Sequence, residues 1–334
     1  MKPVFLLLFL TTLGTCGLKA QEGTIMTVKG PVPSAEMGLT LMHEHVLVDF
    51  VGADQTGNHR WKKAEVIPVV LPYLQQSEKL GVNTLVECTP AYIGRDPLLL
   101  KELSEAAGMH LITNTGYYGA SDNKYLPNHA YSETAKKLAE RWIREWEEGI
   151  DGTGIRPGFI KIGVSGGSLS ELHSKLLTAA ALTHLMTGLT IASHTGPAVP
   201  AFEQIRLLEK EGVSAEAFIW VHAQGEDSLQ LHVAAARAGA WVSLDGLSDA
   251  NLEEYLKMVK NLKDHGFLHK TLISHDAGWY SPGEENGGDF RGYTVLVEKF
   301  IPLLLTKGFT QEDIRQLIEI NPQKAMEIRI RRVN

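Results

Sequence analysis

Two histidines separated by one residue, His43-Glu44-His45, close the short apolar run Leu39-Thr40-Leu41-Met42. In a β-strand, side chains alternate faces with period two, so residues i and i+2 point the same way. Two imidazoles would then converge on one point, as the ligands of a metal ion must. Alone the pair is a weak signal, because surface histidines, satisfied core histidines and chance account for most such pairs. Its meaning depends on whether the rest of the chain supplies further ligands.

Four more residues of suitable chemistry end apolar runs downstream. Lys161 lies in Gly158-Phe159-Ile160-Lys161-Ile162-Gly163, and His194 follows Thr190-Ile191-Ala192-Ser193. His222 follows Phe218-Ile219-Trp220-Val221, and Asp276 closes Leu272-Ile273-Ser274-His275. A histidine at a strand end is often only a hydrogen-bonded structural group, and Asp276 alone would serve as a helix cap. A lysine flanked by Phe159, Ile160 and Ile162 is harder to explain structurally, since a charge is rarely buried without a partner.

The residue types state a chemistry. Imidazole and carboxylate suit Zn²⁺ and its neighbours, whereas Ca²⁺ and Mg²⁺ prefer oxygen shells. One ion would be held by His43, His45 and Asp276, and a second by His194 and His222. Burial favours the neutral form of an amine, and a neutral amine adds CO2 to give an anionic, bidentate carbamate. Lys161 carboxylated in this way would bridge the two ions. A hydroxide with its pKa lowered by the metals would attack a polarised carbonyl or phosphoryl centre, and Asp276 would receive the proton. Zinc is expected, with manganese, iron or cobalt as alternatives.

Such a set needs a scaffold that brings distant strand ends together. Strands are expected at Leu39–His45, Asn83–Thr89, His110–Thr115, Phe159–Val164, Leu189–Ser193, Ala217–His222, Ala240–Asp245 and Thr271–Asp276. Helical patterns alternate with them, at Val66–Leu80, Pro97–Ala107, Ser132–Glu148, Ser168–Met186, Ala201–Glu211, Leu229–Ala238 and Asn251–His265. Several end at glycine (Gly81, Gly108, Gly188, Gly212, Gly239), which fits a C-terminal cap. Eight alternating strands favour a single-domain α/β fold, a (β/α)8 TIM barrel, over an open doubly wound sheet, and place catalytic groups at strand C-termini.

Composition bounds the function further. The chain has 334 residues, 44% hydrophobic and 21% charged, with a formal net charge of -7. That balance argues against a nucleic-acid or anionic-membrane partner, because no basic stripe faces phosphates. Arg329-Ile330-Arg331-Arg332 reads as a solvated C-terminal end. Residues 1–20 read as a cleaved signal peptide: Lys2, the apolar run Val4 to Leu10, and a cleavage site after Ala20. The run is too short to span a bilayer, and a lipid anchor at Cys16 is the less favoured alternative. The mature chain (21–334) would then be periplasmic or secreted. Only Cys88 remains in it, so no intramolecular disulfide forms, and Cys88 reads as a buried small hydrophobe.

As a set, Met42-His43-Glu44-His45, Ile93-Gly94-Arg95-Asp96, Gly158-Phe159-Ile160-Lys161, Ser193-His194-Thr195-Gly196, Val221-His222 and Ser274-His275-Asp276 are recognisable. The chain resembles the binuclear metal hydrolases of the amidohydrolase superfamily, most closely the phosphotriesterase family with its lactonases and related proteins. The likeness spans roughly residues 30 to 326, and Asn321-Pro322 fits the closing motif. It implies two divalent metal ions at His43, His45, Lys161, His194, His222 and Asp276, and catalytic roles for Asp276, Lys161 and Tyr118. Family members are often dimers, so a homodimer is a possible assembly.

Specificity is read from three places. Tyr118 occupies the position of a tyrosine in family lactonases, where it would lie near the bridging hydroxide and a lactone ring oxygen; equally it is an aromatic loop anchor. Gly246 follows Asp245 where phosphotriesterases resemble one another in having a histidine and lactonases often have arginine, so a relay or leaving-group contact is absent. The loop after Asp276 offers Trp279 and Tyr280 as pocket walls and Glu284 and Glu285 as solvated charges. Arg95 reads as a structural ion pair, and His275 should face away from Asp276. The expected function is hydrolysis of a small-molecule lactone or other carboxylic ester, with promiscuous phosphotriesterase activity. The alternatives are an N-acyl amide hydrolase with the same site, and a non-catalytic, metal-stabilised binding protein.

Overall fold

The computed structural model describes residues 23–333, so the expected signal peptide and Cys16 lie outside the described residues. Eight parallel barrel strands are present among those residues: β1 Leu39–Glu44, β2 Val82–Glu87, β3 His110–Ile112 continued by Asn114–Thr115, and β4 Phe159–Gly163. They continue with β5 Ile191–His194, β6 Phe218–Val221, β7 Trp241–Leu244 and β8 Thr271–Ile273. Neighbours pair in parallel along the series. The chain closes between the first and last strands, where Asp276 N donates to His43 O at 3.0 Å and His45 N to Ala277 O at 2.9 Å. This is a TIM barrel.

Two packing layers follow from strand alternation. Outward residues such as Ile160, Ile162, Phe218, Trp220 and Ile273 join the large core between sheet and helices. Inward residues such as Phe159, Ile219, Val221 and Leu272 fill the barrel interior. A short hairpin that the periodicity did not announce, Thr24–Thr27 with Gly30–Pro33, adds Ile25 to that interior. Lys161 has the same parity as Phe159, and His194 the same as Ala192, so both enter the barrel near its C-terminal mouth.

β1 departs from simple alternation. Met42 packs in the interior and Leu41 outside, so strict alternation would send His43 and His45 outward. The β1–β2 register shifts between Leu41, opposite Leu85, and Glu44, opposite Glu87. One extra residue on β1 is a β-bulge, which re-aims side chains. The bulge turns both histidines inward.

The expected helices form with one exception. Ser132–Glu148 is split into Asn128–Ser132 and Ala135–Glu148, because Thr134 caps the second helix by accepting from Lys137 N. Glu133 is thereby left extended. Lys63–Lys79 starts three residues earlier than expected and tolerates Pro68 and Pro72 inside it.

The helix Glu171–Thr187 carries a pH-sensitive anchor. His184 is fully buried, with Nδ1–H donating to Leu189 O at 2.8 Å while Nε2 accepts from Arg331 N at 2.9 Å. The Nε2 bond needs the neutral ring, since a protonated Nε2 cannot accept, and burial lowers the pKa to about 4. The unfolded chain binds this proton near pH 6.5 and the native state does not, so stability falls as pH drops from 6.5 towards 4 and levels off below. The contribution is roughly 3 kcal/mol across that window. Urea midpoints at pH 7 and pH 4 should therefore converge in His184→Gln relative to the unaltered chain; an unchanged difference would show that His184 carries no such linkage.

Candidate metal centre

All six expected ligands meet at the C-terminal mouth of the barrel. His43 Nε2 lies 3.7 Å and His45 Nε2 3.0 Å from Asp276 Oδ1. The ligand atoms of these three residues all lie within 4.8 Å of one another. Donors about 2.1 Å from a shared ion stand about 3–4 Å apart, so the triad fits one cation. His194 and His222 form a second pair, with ring centroids 4.4 Å apart, and His222 stands 5.1 Å from His43. Lys161 Nζ is 3.3 Å from His43 Nε2. Lys161 is 2% exposed, yet it has no carboxylate ion-pair partner among the described residues.

The far ring nitrogens are fixed from behind, as metal-binding histidines usually are. Asp245, which closes β7, is fully buried and bonds two of them: His43 Nδ1 at 3.2 Å and His222 Nδ1 at 2.6 Å. It also accepts from His222 N and Gln224 Nε2. His45 Nδ1 bonds Thr89 Oγ1 at 2.7 Å. Each of these rings therefore turns its Nε2 towards the cavity. The double role of Asp245 was missing from the sequence reading. Its signal was an acid closing a strand in the same layer as the ligands.

Charge is distributed accordingly. Burial disfavours the Asp245 carboxylate, but His222 and His43 overcome this and hold its pKa well below the ordinary value. Burial also opposes the charged form of His222, yet Asp245 at 2.6 Å leaves its pKa raised. His43 shares the same acid at a longer distance; burial and then Lys161 lower it to about 4, so it stays neutral. Burial drives His194 well below its ordinary value. Burial disfavours the Asp276 carboxylate, but the His45 hydrogen bond and the imidazoles clustered around it hold its pKa well below the usual carboxylate range.

Two ligands sit on left-handed backbone, His222 at φ 59° and Asp276 at φ 53°. By strand parity His222 would follow Trp220 outward, and the left-handed turn swings it into the mouth. Non-glycine residues seldom adopt this conformation, and such strain gathers at functional sites. Arg291 supports it by donating to Asp276 O and lying over the Trp279 ring at 5.3 Å. Gly278 threads between, where a Cβ would lie 1.8 Å from His45 O.

The centre forms the floor of a cavity walled by Val48, Phe50, Pro90, Ile93, Tyr118 and Trp279. Tyr118 packs its ring edge-on to His194 at 5.0 Å. Its hydroxyl faces the Ser121 side chain, and burial raises its pKa, which keeps it a proton donor at neutral pH. Trp279 lines the wall as expected, whereas Tyr280 is buried in the core against Gly287. Glu284 and Glu285 are exposed. Arg95 forms the expected buried ion pair with Glu145 at 2.7 Å, away from the centre. His275 faces outward, bonded to Glu44 Oε1 at 2.6 Å and accepting from Leu296 N. Cys88 is buried as expected but also lines the cavity. At Gly246 a Cβ would meet Tyr255 Oη at 2.8 Å and Gln224 Nε2 at 2.9 Å, so a relay side chain there would require both side-chain ends to move.

A model of the phosphotriesterase family matches residues 23–326. This chain belongs to the phosphotriesterase family. It is 31% identical over 291 residues to the phosphotriesterase homology protein of Escherichia coli, covering 86% of this chain and 97% of that protein. It is 27% identical over 311 residues to an aryldialkylphosphatase of Saccharolobus solfataricus (89% and 97% covered). To an N-acetyltaurine hydrolase of Salmo salar it is 26% identical over 352 residues (92% and 99% covered). A solved mutant of an organophosphorus hydrolase from Deinococcus radiodurans superposes with a TM-score of 0.82 at 26% identity, covering 92% of this chain and 98% of that one. The Escherichia coli phosphotriesterase homology protein, solved with phosphate in its active site, gives 0.76 at 28% identity (87% and 99% covered). The chain is a hydrolase of this family.

Proposed function

We propose that this family member is a binuclear metal-dependent hydrolase that cleaves a lactone or other carboxylic ester. The observation that carries the reading is the convergence of His43, His45, Lys161, His194, His222 and Asp276 on the floor of one cavity. His43, His45 and Asp276 would hold one divalent ion, zinc first, and His194 and His222 the other. Lys161, buried with no carboxylate ion pair among the described residues, would join them as its CO2 adduct. When bound, the ions supply Lewis acidity and a nucleophile at neutral pH.

The chain's own residues supply the rest. Asp245 locks the tautomers of His43 and His222, so their nitrogens facing the cavity keep their lone pairs, and Thr89 orients the His45 ring. Asp276, ionised throughout the working range, would help hold an ion and would receive a proton transiently. Tyr118 keeps its proton and can donate to the oxygen of a leaving alkoxide. The apolar walls exclude water and favour an acyl chain or lactone ring over charged groups.

Amide hydrolysis is the second reading, favoured by the relatives named N-acetyltaurine hydrolase. Export rests on residues 1–20 and completes the proposal as a periplasmic or secreted enzyme. The metal-loaded mature protein should be assayed against lactones, aryl esters, N-acyl amides and phosphotriesters. Lactones or esters should be turned over with the highest kcat/KM. Preferred turnover of phosphotriesters would contradict the reading, and preferred amides would move it to the second.

A further inference from the structure

The metal centre opens on two sides of unlike chemistry. One is the apolar cavity. The other is an open cleft that shares His194, His222 and Asp276 and is walled by Ser121, Asp122, Ser165, Gly166, Thr195 and Pro197. Apart from Lys161, no lysine or arginine lines either space. The cleft's free charge is the Asp122 carboxylate, which makes no ion pair or side-chain hydrogen bond among the described residues.

Asp122 is held there by an unusual backbone. Ser121, Asp122 and Asn123 are consecutive left-handed residues, at φ 56°, 55° and 62°, a conformation that strains non-glycine side chains and persists only where surroundings enforce it. The surroundings do enforce it. Gly119 N donates to Gly163 O, His173 Nε2 donates to Gly119 O and lies 3.1 Å from Asn123 Oδ1, and Lys124 Nζ donates to Phe50 O at 2.6 Å. Lys124 and Arg291 donate to backbone carbonyls, Lys124 to Phe50 O and Arg291 to Asp276 O. The loop thus fixes one carboxylate beside the metal centre, and no lysine or arginine lines the cleft it faces.

We propose that Asp122 is a specificity determinant, and that the substrate is bipartite: an acyl half that is apolar, seated among Val48, Phe50, Ile93 and Trp279, and an alcohol or amine half bearing an ammonium group that Asp122 receives in the cleft. The inference rests on the hydrolase reading above and adds to it the charge of the substrate. Water adds across the acyl bond, its oxygen going to the acyl carbon and its proton to the departing oxygen or nitrogen. An ammonium-bearing alcohol or amine and a fatty acid leave.

The test uses matched probes with the full metal-loaded enzyme. Hexanoyl amides of ethylenediamine, ethanolamine and 2-aminoethanesulfonate place a cation, a hydroxyl or an anion at one position. Hexanoyl esters of choline, ethylene glycol and 2-hydroxyethanesulfonate do the same for an ester bond. In whichever series is cleaved, kcat/KM should favour the cationic over the anionic probe by about tenfold, since an exposed charge pair is weak and the exchange counts it twice. Asp122→Asn should shrink that ratio by at least about threefold, and asparagine tolerates the left-handed backbone, so the loop is kept. Equal or reversed preference in the unaltered enzyme, or a ratio that Asp122→Asn leaves unchanged, overturns the assignment of Asp122. Failure to cleave any probe of either series, or any lactone or ester, overturns the hydrolase reading instead.

Discussion

Lys161→Ala should lower bound metal from two ions per chain to one or none, and hydrolysis should fall by more than about 100-fold, the upper end for losing even an outer partner of a ligand. The expectation follows from burial. An ammonium 2% exposed and without a carboxylate partner is costly, and the chain keeps it beside His43 Nε2 at 3.3 Å. Conversion to a carbamate, with loss of a proton, would replace that charge with an anion that two bound cations neutralise, and Lys161 would then help hold both. Short carboxylic acids supplied to the alanine variant should restore part of the activity by occupying the same space. Elemental analysis decides the matter, and two ions retained in Lys161→Ala would refute the bridge.

Asp245→Asn should weaken metal binding by about 10- to 100-fold while leaving the barrel folded. The acid serves both halves of the centre at once, through His43 Nδ1 and His222 Nδ1. An amide is nearly isosteric, but it presents an NH2 to one ring and withdraws the charge that favours His222. Both rings lose the partner that fixes their tautomer. Competition with a chelator of known affinity measures the change, and thermal unfolding of the apo forms separates it from loss of fold. Unchanged affinity would show that Asp245 only caps the strand ends.

Much of this centre was legible in the sequence because its two determinants are local. Apolar runs of strand length, each ended by a ligand type, locate the C-terminal mouth of a barrel, and Lys161 betrays itself as a charge inside such a run. What escaped depends on small backbone departures that periodicity does not encode. The bulge between Leu41 and Glu44 decides which way His43 and His45 face. His222 enters the site only through its left-handed turn. The alternation rule that first drew attention to the His43–His45 pair holds for their shared direction, and the bulge supplies the side.

Second partners were equally hard to see. Asp245 marked the missing relay at Gly246, yet its bonds to two histidines need the closed barrel to bring β1, β6 and β7 together. Gly246 itself is explained by Tyr255 and Gln224, which fill the space a relay residue would take. The helix break at Glu133 and Thr134 illustrates the limit on the other side, where a local cap interrupts a stretch that amphipathic spacing alone would continue.

The most direct test of the binuclear centre is metal content followed against turnover in the unaltered mature enzyme. The account predicts two divalent ions per chain, loss of ester and lactone hydrolysis on chelation, and recovery that saturates at two equivalents of added zinc, manganese or cobalt. Full turnover by the metal-free protein, or recovery complete at one equivalent, would contradict it.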